Sequence, residues 1–113
     1  MHQGVIVACL CAAWCRLCDD YAPVLRAVGA EFEGLRVEWI DIEDEADLVG
    51  DVDVETFPTI VVIATDGAVR FAGPLTPQAQ TLRRVIQVAL DGTTIAPVPA
   101  EVTAFAARLM RGA

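Results

Sequence analysis

Serine, lysine and asparagine are absent from the 113 residues of this chain. A serine nucleophile, a P-loop lysine and a Schiff-base lysine are thereby excluded. Histidine occurs once, as His2. It lies close to a terminus, where chains commonly fray, so a Cys–His hydrolase would have no firmly placed base. Positive charge is scarce: eight basic residues stand against sixteen acidic ones, a net charge of −8. That balance disfavours nucleic acid and anionic membrane surfaces as partners. No apolar run approaches the ~18 residues of a membrane span. Cysteine falls short of a disulfide-scaffold density, and all four residues lie between positions 9 and 18, too close together to staple a long loop.

What is present is a core. The chain is 55% hydrophobic, which argues for a compact globule rather than disorder. Its length suits one domain around a single core. The run 5–10 is continuously apolar and rich in β-branched residues, so 4–10 is expected to form a strand buried on both faces. A helical pattern over 15–32 follows, with Leu17, Tyr21, Leu25, Val28 and Phe32 on one stripe. Pro23 is expected to kink this helix and Gly34 to end it.

Between strand and helix stands Trp14-Cys15-Arg16-Leu17-Cys18. A helix N-terminus carries unpaired N–H groups and partial positive charge. A thiolate there is stabilised, and its pKa falls below that of an ordinary cysteine. Cys15 is placed at the tip, and Cys18 faces it one turn later. The arrangement suits thiol–disulfide exchange, with Cys15 attacking a disulfide and Cys18 resolving the mixed disulfide. A C-x-x-C by itself also fits half of a zinc site.

The surroundings resemble the thioredoxin family. Ala12-Ala13-Trp14-Cys15-x-x-Cys18 is similar to that family's active-site segment. Pro23 follows five residues after Cys18, as the family's helix proline does. Phe57-Pro58-Thr59 before the apolar run 60–63 resembles the family's cis-proline loop, and Asp66-Gly67 and Gly73 fall at family positions. The resemblance covers about residues 4–90. It implies an α/β, thioredoxin-like fold: a central mixed four-stranded sheet flanked by helices, with a shortened N-terminus and an extra C-terminal helix. It also implies a protein disulfide oxidoreductase with Cys15 and Cys18 catalytic, and with Trp14, Phe57 and Pro58 shaping the substrate surface. No cofactor beyond the dithiol is implied, and no metal. Electrons would come from a separate reductase or thiol donor.

The chain also departs from the family pattern. Arg16-Leu17 replaces the usual Gly-Pro between the cysteines; Arg16 either favours the Cys15 thiolate or is simply solvated. The family's buried carboxylate corresponds to Cys9, and its basic partner to Trp39. Cys9 and Cys11 share one face of the strand by alternation and are expected to pack as small apolar residues. A disulfide between them is disfavoured by a rise of about 6.6 Å over two residues. A metal module using Cys9, Cys11, Cys15 and Cys18 for zinc or an iron–sulfur cluster is the alternative. It would place two ligands inside a strand, where knuckle geometry is lacking. A non-catalytic adaptor is the third reading.

Further along, 35–42 is expected as a strand parallel to the first and exposed at a sheet edge, with the C-terminal segment 93–113 as the candidate cover. Residues 43–55 carry seven acidic side chains and read as a solvated connection with one short helix. Segments 59–64 and 68–73 form a hairpin. Thr76 and Pro77 are expected to start a helix as N-cap and first helical residue, and Gly92 to stop it. Thioredoxin-like domain 1–92 is then followed by an extension, 93–113, whose helix at 100–110 packs on the domain or on a partner. Val102, Phe105, Ala106, Leu109 and Met110 give that helix an apolar face. The run 5–14 has no Lys or Arg before it, so it lacks the basic flank of a signal peptide. A cytoplasmic protein, monomeric or weakly dimeric and acting on protein disulfides, is expected.

Overall fold

The computed structural model describes residues 5–12, 16–50, 52, 58–75, 78–92 and 98–112, with the side chains of Leu17 and Cys18 outside that description. The elements run β1 (Ile6–Cys11), α1 (Arg16–Gly29), β2 (Arg36–Asp41), α2 (Ala46–Val49), β3 (Thr59–Ile63), β4 (Val69–Pro74), α3 (Ala79–Leu90) and α4 (Ala100–Gly112). The sheet order is β2-β1-β3-β4. β1 and β2 are parallel, and the other two pairs are antiparallel. This is the four-stranded mixed sheet expected from the sequence.

β1 is central, and all its residues are buried, as a continuously apolar strand between two neighbours must be. Its alternation sorts the core into two halves. Val7, Cys9 and Cys11 point to the face covered by Tyr21, Leu25 and Val28 of α1 and by Leu82, Ile86 and Ala89 of α3. Ile6, Ala8 and Leu10 point to the face covered by Val102, Phe105, Ala106 and Leu109 of α4.

α1 continues through Pro23, where no N–H is available to the Asp19 carbonyl. It stops at Gly29, earlier than Gly34. The chain then tightens through short turns, with Glu31 N–H donating to the Val28 carbonyl (3.0 Å) and Phe32 N–H to that of Gly29 (3.2 Å). Gly29 is a point of close approach: a Cβ there would stand 2.6 Å from Val37 Cγ2. Outside the core, Arg83 of α3 reaches the turn after α1, its Nε and Nη2 donating to Glu31 at 2.6 and 2.7 Å.

Two expectations are corrected. α3 begins at Ala79 rather than Pro77. Gln78 is its N-cap, in an extended conformation and without a side-chain cap bond; Thr76 and Pro77 lie outside the described residues. And α4 covers a sheet face, not the exposed edge. The physical reason is that a helix has already paired its own amides. What it needs to bury is an apolar stripe, and only a sheet face offers apolar surface. β2 is left at an edge, with Trp39 42% exposed.

The acidic connection does contain one short helix, α2. Asp41 Oδ1 accepts from the N–H groups of Glu43 (2.8 Å) and Asp44 (3.2 Å), which turns the chain out of β2. At the other end of α2, Arg108 of α4 donates to the carbonyls of Leu48 (2.8 Å) and Val49 (3.0 Å). A cation at a helix C-terminus satisfies orphan carbonyls and opposes the dipole. Gly50 makes room for it: its φ is +61°, and a Cβ there would collide with the Arg108 guanidinium.

Candidate active site

The fold brings the described parts of the two sequence motifs, the start of α1 and Pro58-Thr59, to one end of the sheet. β1 runs into buried Ala12, and α1 starts at Arg16. Leu10 stands opposite Thr59 of β3, so Pro58, buried just before Thr59, lies beside the β1–α1 junction. Cys18 occupies the first turn of α1, where main-chain N–H groups lack helical partners. Trp14, Cys15 and Phe57, and with Phe57 the 57–58 peptide bond, lie outside the described residues. Arg16 is exposed, so solvent screens its charge; Leu17 lies in the first turn of α1.

Beneath α1 the site is built of sulfur and hydrocarbon. Cys9 is fully buried, and Cys11 is 1% exposed. Cys9 stands between Trp39 of β2 and Ile60 of β3, as its family position and that of Trp39 imply. Its Sγ lies 3.2 Å from that of Cys11. The sulfurs approach more closely than the strand rise alone suggests, because both side chains lean toward each other across the same face. The thiols are nevertheless unbridged, well beyond the ~2.05 Å of a disulfide. No charged side chain is buried among the described residues. The position that the resemblance assigns to a buried carboxylate thus holds a thiol, and the described core contains no buried acid.

Tyr21 is the residue whose part in the site the sequence reading missed. Its spacing puts it on the core stripe of α1, and it is fully buried. Its hydroxyl, however, has no hydrogen-bond partner among the described residues. Burial holds the phenol protonated well above its ordinary range, and the nearby Cys9 and Cys11 add to the effect. The available signal was helical spacing: Tyr21 is three residues beyond Cys18 and so shares its side of α1.

Among the described residues no group of three His, Cys, Asp or Glu side chains is placed to hold a metal ion. The four-cysteine metal reading depends on Cys15 and Cys18, whose side chains are outside the description. Its other two thiols are locked in the core strand. No described helix is long and apolar enough to cross a membrane.

Comparison with known proteins gives a consistent result. The thioredoxin from Bacillus subtilis (strain 168) is 34% identical over 68 residues, covering 59% of this chain and 64% of that protein. The chain thus spans just under two thirds of that relative. Among solved structures, chloroplastic thioredoxin z is 28% identical with a TM-score of 0.62, covering 78% of this chain and 80% of that one. A point mutant of the thioredoxin from Halobacterium salinarum NRC-1 is 25% identical with a TM-score of 0.65, covering 86% and 80%. The family model described as Thioredoxin matches residues 1–88, most of the chain and both motifs, and the chain belongs to the thioredoxin family.

Proposed function

We propose that this protein is a thiol–disulfide oxidoreductase acting on protein disulfides, with Cys15 as nucleophile and Cys18 as resolving thiol. The observation that carries the reading is a wholly buried central strand that ends shortly before the C-x-x-C sequence, with Cys18 in the first turn of α1 and Pro58 beside the end of β1. The Cys15 thiolate attacks one sulfur of a substrate disulfide. That S–S bond breaks, the Cys15–substrate bond forms, and the other substrate sulfur leaves as a thiolate. Cys18 then loses its proton and attacks the Cys15 sulfur. A Cys15–Cys18 disulfide forms, and the second substrate thiolate leaves. The substrate gains two electrons and two protons, and a separate reductase or thiol returns the site to the dithiol.

The other roles follow from position. Trp14 and Phe57 border the cysteine pair and Pro58 in sequence and form the docking surface for an extended substrate segment. Arg16 and Leu17 tune the couple, as the residues between its cysteines. Cys9 packs beneath α1 and offers no carboxylate there to take a proton. The Cys18 proton therefore goes to water or to the departing substrate thiolate. The dithiol is the only redox group required, and the protein works in the cytoplasm.

The test is turnover-coupled insulin reduction with single variants. Cys15→Ser is expected to abolish reduction. Cys18→Ser is expected to accumulate a mixed disulfide through Cys15, visible as a mass adduct that dithiothreitol removes. Full activity of Cys15→Ser, or adducts carried by Cys18 in preference to Cys15, would overturn the assignment.

A further inference from the structure

β2 presents an unusual combination: an edge strand, a large exposed aromatic residue and alternating chemistry on its two sides. In a parallel pair, alternate residues of a strand direct both their N–H and C=O to the same neighbour. Arg36 N–H donates to the Val5 carbonyl and Ile42 N–H to that of Cys11. Residues 36, 38, 40 and 42 therefore address β1, and Val37 and Trp39 direct their main-chain groups outward. Among the described residues no strand lies beyond them. On the α1 side the edge shows Leu35, Val37 and Trp39, with a groove of about 490 Å³ between Trp39, Val37 and α1. On the α4 side it shows Arg36 and Glu38, which pair with each other within the strand.

We propose that this edge is a homodimer surface, on which a second copy of the chain pairs antiparallel about a twofold axis through Val37. The argument is one of register. Two identical strands that continue one sheet in antiparallel fashion are related by an axis perpendicular to it. Residues facing each other then lie on the same side, so their numbers have the same parity. Three axes are available at the centre of the exposed segment. An axis through Glu38 sets Glu38 against the partner's Glu38, a like-charge clash. An axis through Trp39 sets Val37 against the partner's Asp41 and Glu38 against the partner's Ile40, facing carboxylates with apolar side chains across the seam.

The axis through Val37 avoids both costs. It sets Arg36 against the partner's Glu38 and Glu38 against the partner's Arg36, two opposite-charge pairs on the α4 side. On the α1 side it sets Leu35 against the partner's Trp39 and Trp39 against the partner's Leu35, flanking Val37 on its own copy. Val37 exchanges both main-chain bonds with its counterpart, and Trp39 N–H meets the partner's Leu35 carbonyl. Charge and apolar surface are thus self-complementary in the same register. This proposal does not depend on the thiol chemistry.

Sedimentation equilibrium of the full chain from about 1 μM to about 1 mM tests it, that span covering weak homodimers. A concentration-dependent dimer is expected. Arg36→Glu alone and Glu38→Arg alone should each raise the dissociation constant by about tenfold or more, because each makes two cross-strand pairs repulsive. An equimolar mixture of the two variants should recover a heterodimer. In that mixture the charge pairs within each strand stay broken, and only those between copies are restored. In wild-type protein, hydrogen exchange at Val37 and Trp39 should slow as concentration rises, which checks the edge without any substitution. The proposal is overturned by a monomer at every concentration, including one whose Val37 and Trp39 amides are protected by another part of the same chain. A dimer indifferent to both charge reversals, or a mixture that recovers nothing, also overturns it.

Discussion

The two faces of the sheet are buried equally well but built differently. Against α4, the sheet contributes Ile6, Ala8, Leu10, Val61 and Ile63, and the helix answers with Val102, Phe105, Ala106 and Leu109. Everything there is hydrocarbon. Against α1, the same central strand contributes Cys9 and Cys11, and the helix answers with Tyr21, whose hydroxyl is unsatisfied among the described residues. The first arrangement is a cohesive surface that tolerates no loss of volume. The second carries two thiols and a phenol directly under the helix that begins the proposed active site. The face opposite the proposed chemistry supplies stability, and the face beside it accepts imperfect satisfaction of polar atoms.

The sharpest way to break that contrast is Phe105→Ala. Phe105 is among the largest fully buried side chains, and its truncation should lower the unfolding free energy by about 3–5 kcal/mol in urea titration. Alkylation of Cys15 in the protein that remains folded should keep its rate. A loss below about 1 kcal/mol would mean that α4 is not part of the cooperative unit.

Arg108→Ala tests whether α4 holds the acidic connection as well as the sheet. Two charge-assisted bonds to the Leu48 and Val49 carbonyls disappear, so a loss of about 1–3 kcal/mol is expected. Lys at 108 should recover only part of it, because an ammonium lacks the guanidinium fork. Exchange of the α2 amides should rise in step.

On the other face, Cys9→Ala should cost about 1–2 kcal/mol for one buried sulfur and leave insulin reduction near the wild-type rate. Abolished turnover with normal Cys15 labelling would instead make Cys9 a redox participant, and the α1 face would be catalytic to its base.

Tyr21→Phe should have the smallest effect at neutral pH, within about 1 kcal/mol of zero, because it removes an oxygen that is already unpaired. Its signature is at alkaline pH. Burial raises the phenol's pKa in the folded protein, while the unfolded chain ionises near pH 10. Above that pH the unfolded state holds fewer protons, so stability falls as pH rises. Below it the contribution is complete. Wild type should therefore lose up to about 1.4 kcal/mol per pH unit above ~10 from this group, and Tyr21→Phe should lose that slope. Equal slopes in both proteins would show that the phenol reaches water.

What could be read from the sequence alone was whatever has a short period or a fixed offset. Alternation in β1 assigned Cys9 and Cys11 to one face. Helical spacing gave Tyr21, Leu25 and Val28, and Val102, Phe105 and Leu109, their buried stripes. The offset between Cys15 and Cys18 stated the proposed chemistry before any fold was known. These are local properties, because a backbone repeating every two or 3.6 residues projects its side chains the same way in any protein. Contacts between distant segments were decided only by tertiary structure. Arg108 reaches the end of α2 across some sixty residues of chain. α3 starts at Ala79 despite Thr76-Pro77. α4 settles on the face and leaves Trp39 at the edge, and the thiols of Cys9 and Cys11 come within 3.2 Å of each other beside an unsatisfied phenol. Each of these depends on which surfaces remain to be covered once the sheet has formed, and no periodicity along the chain encodes that.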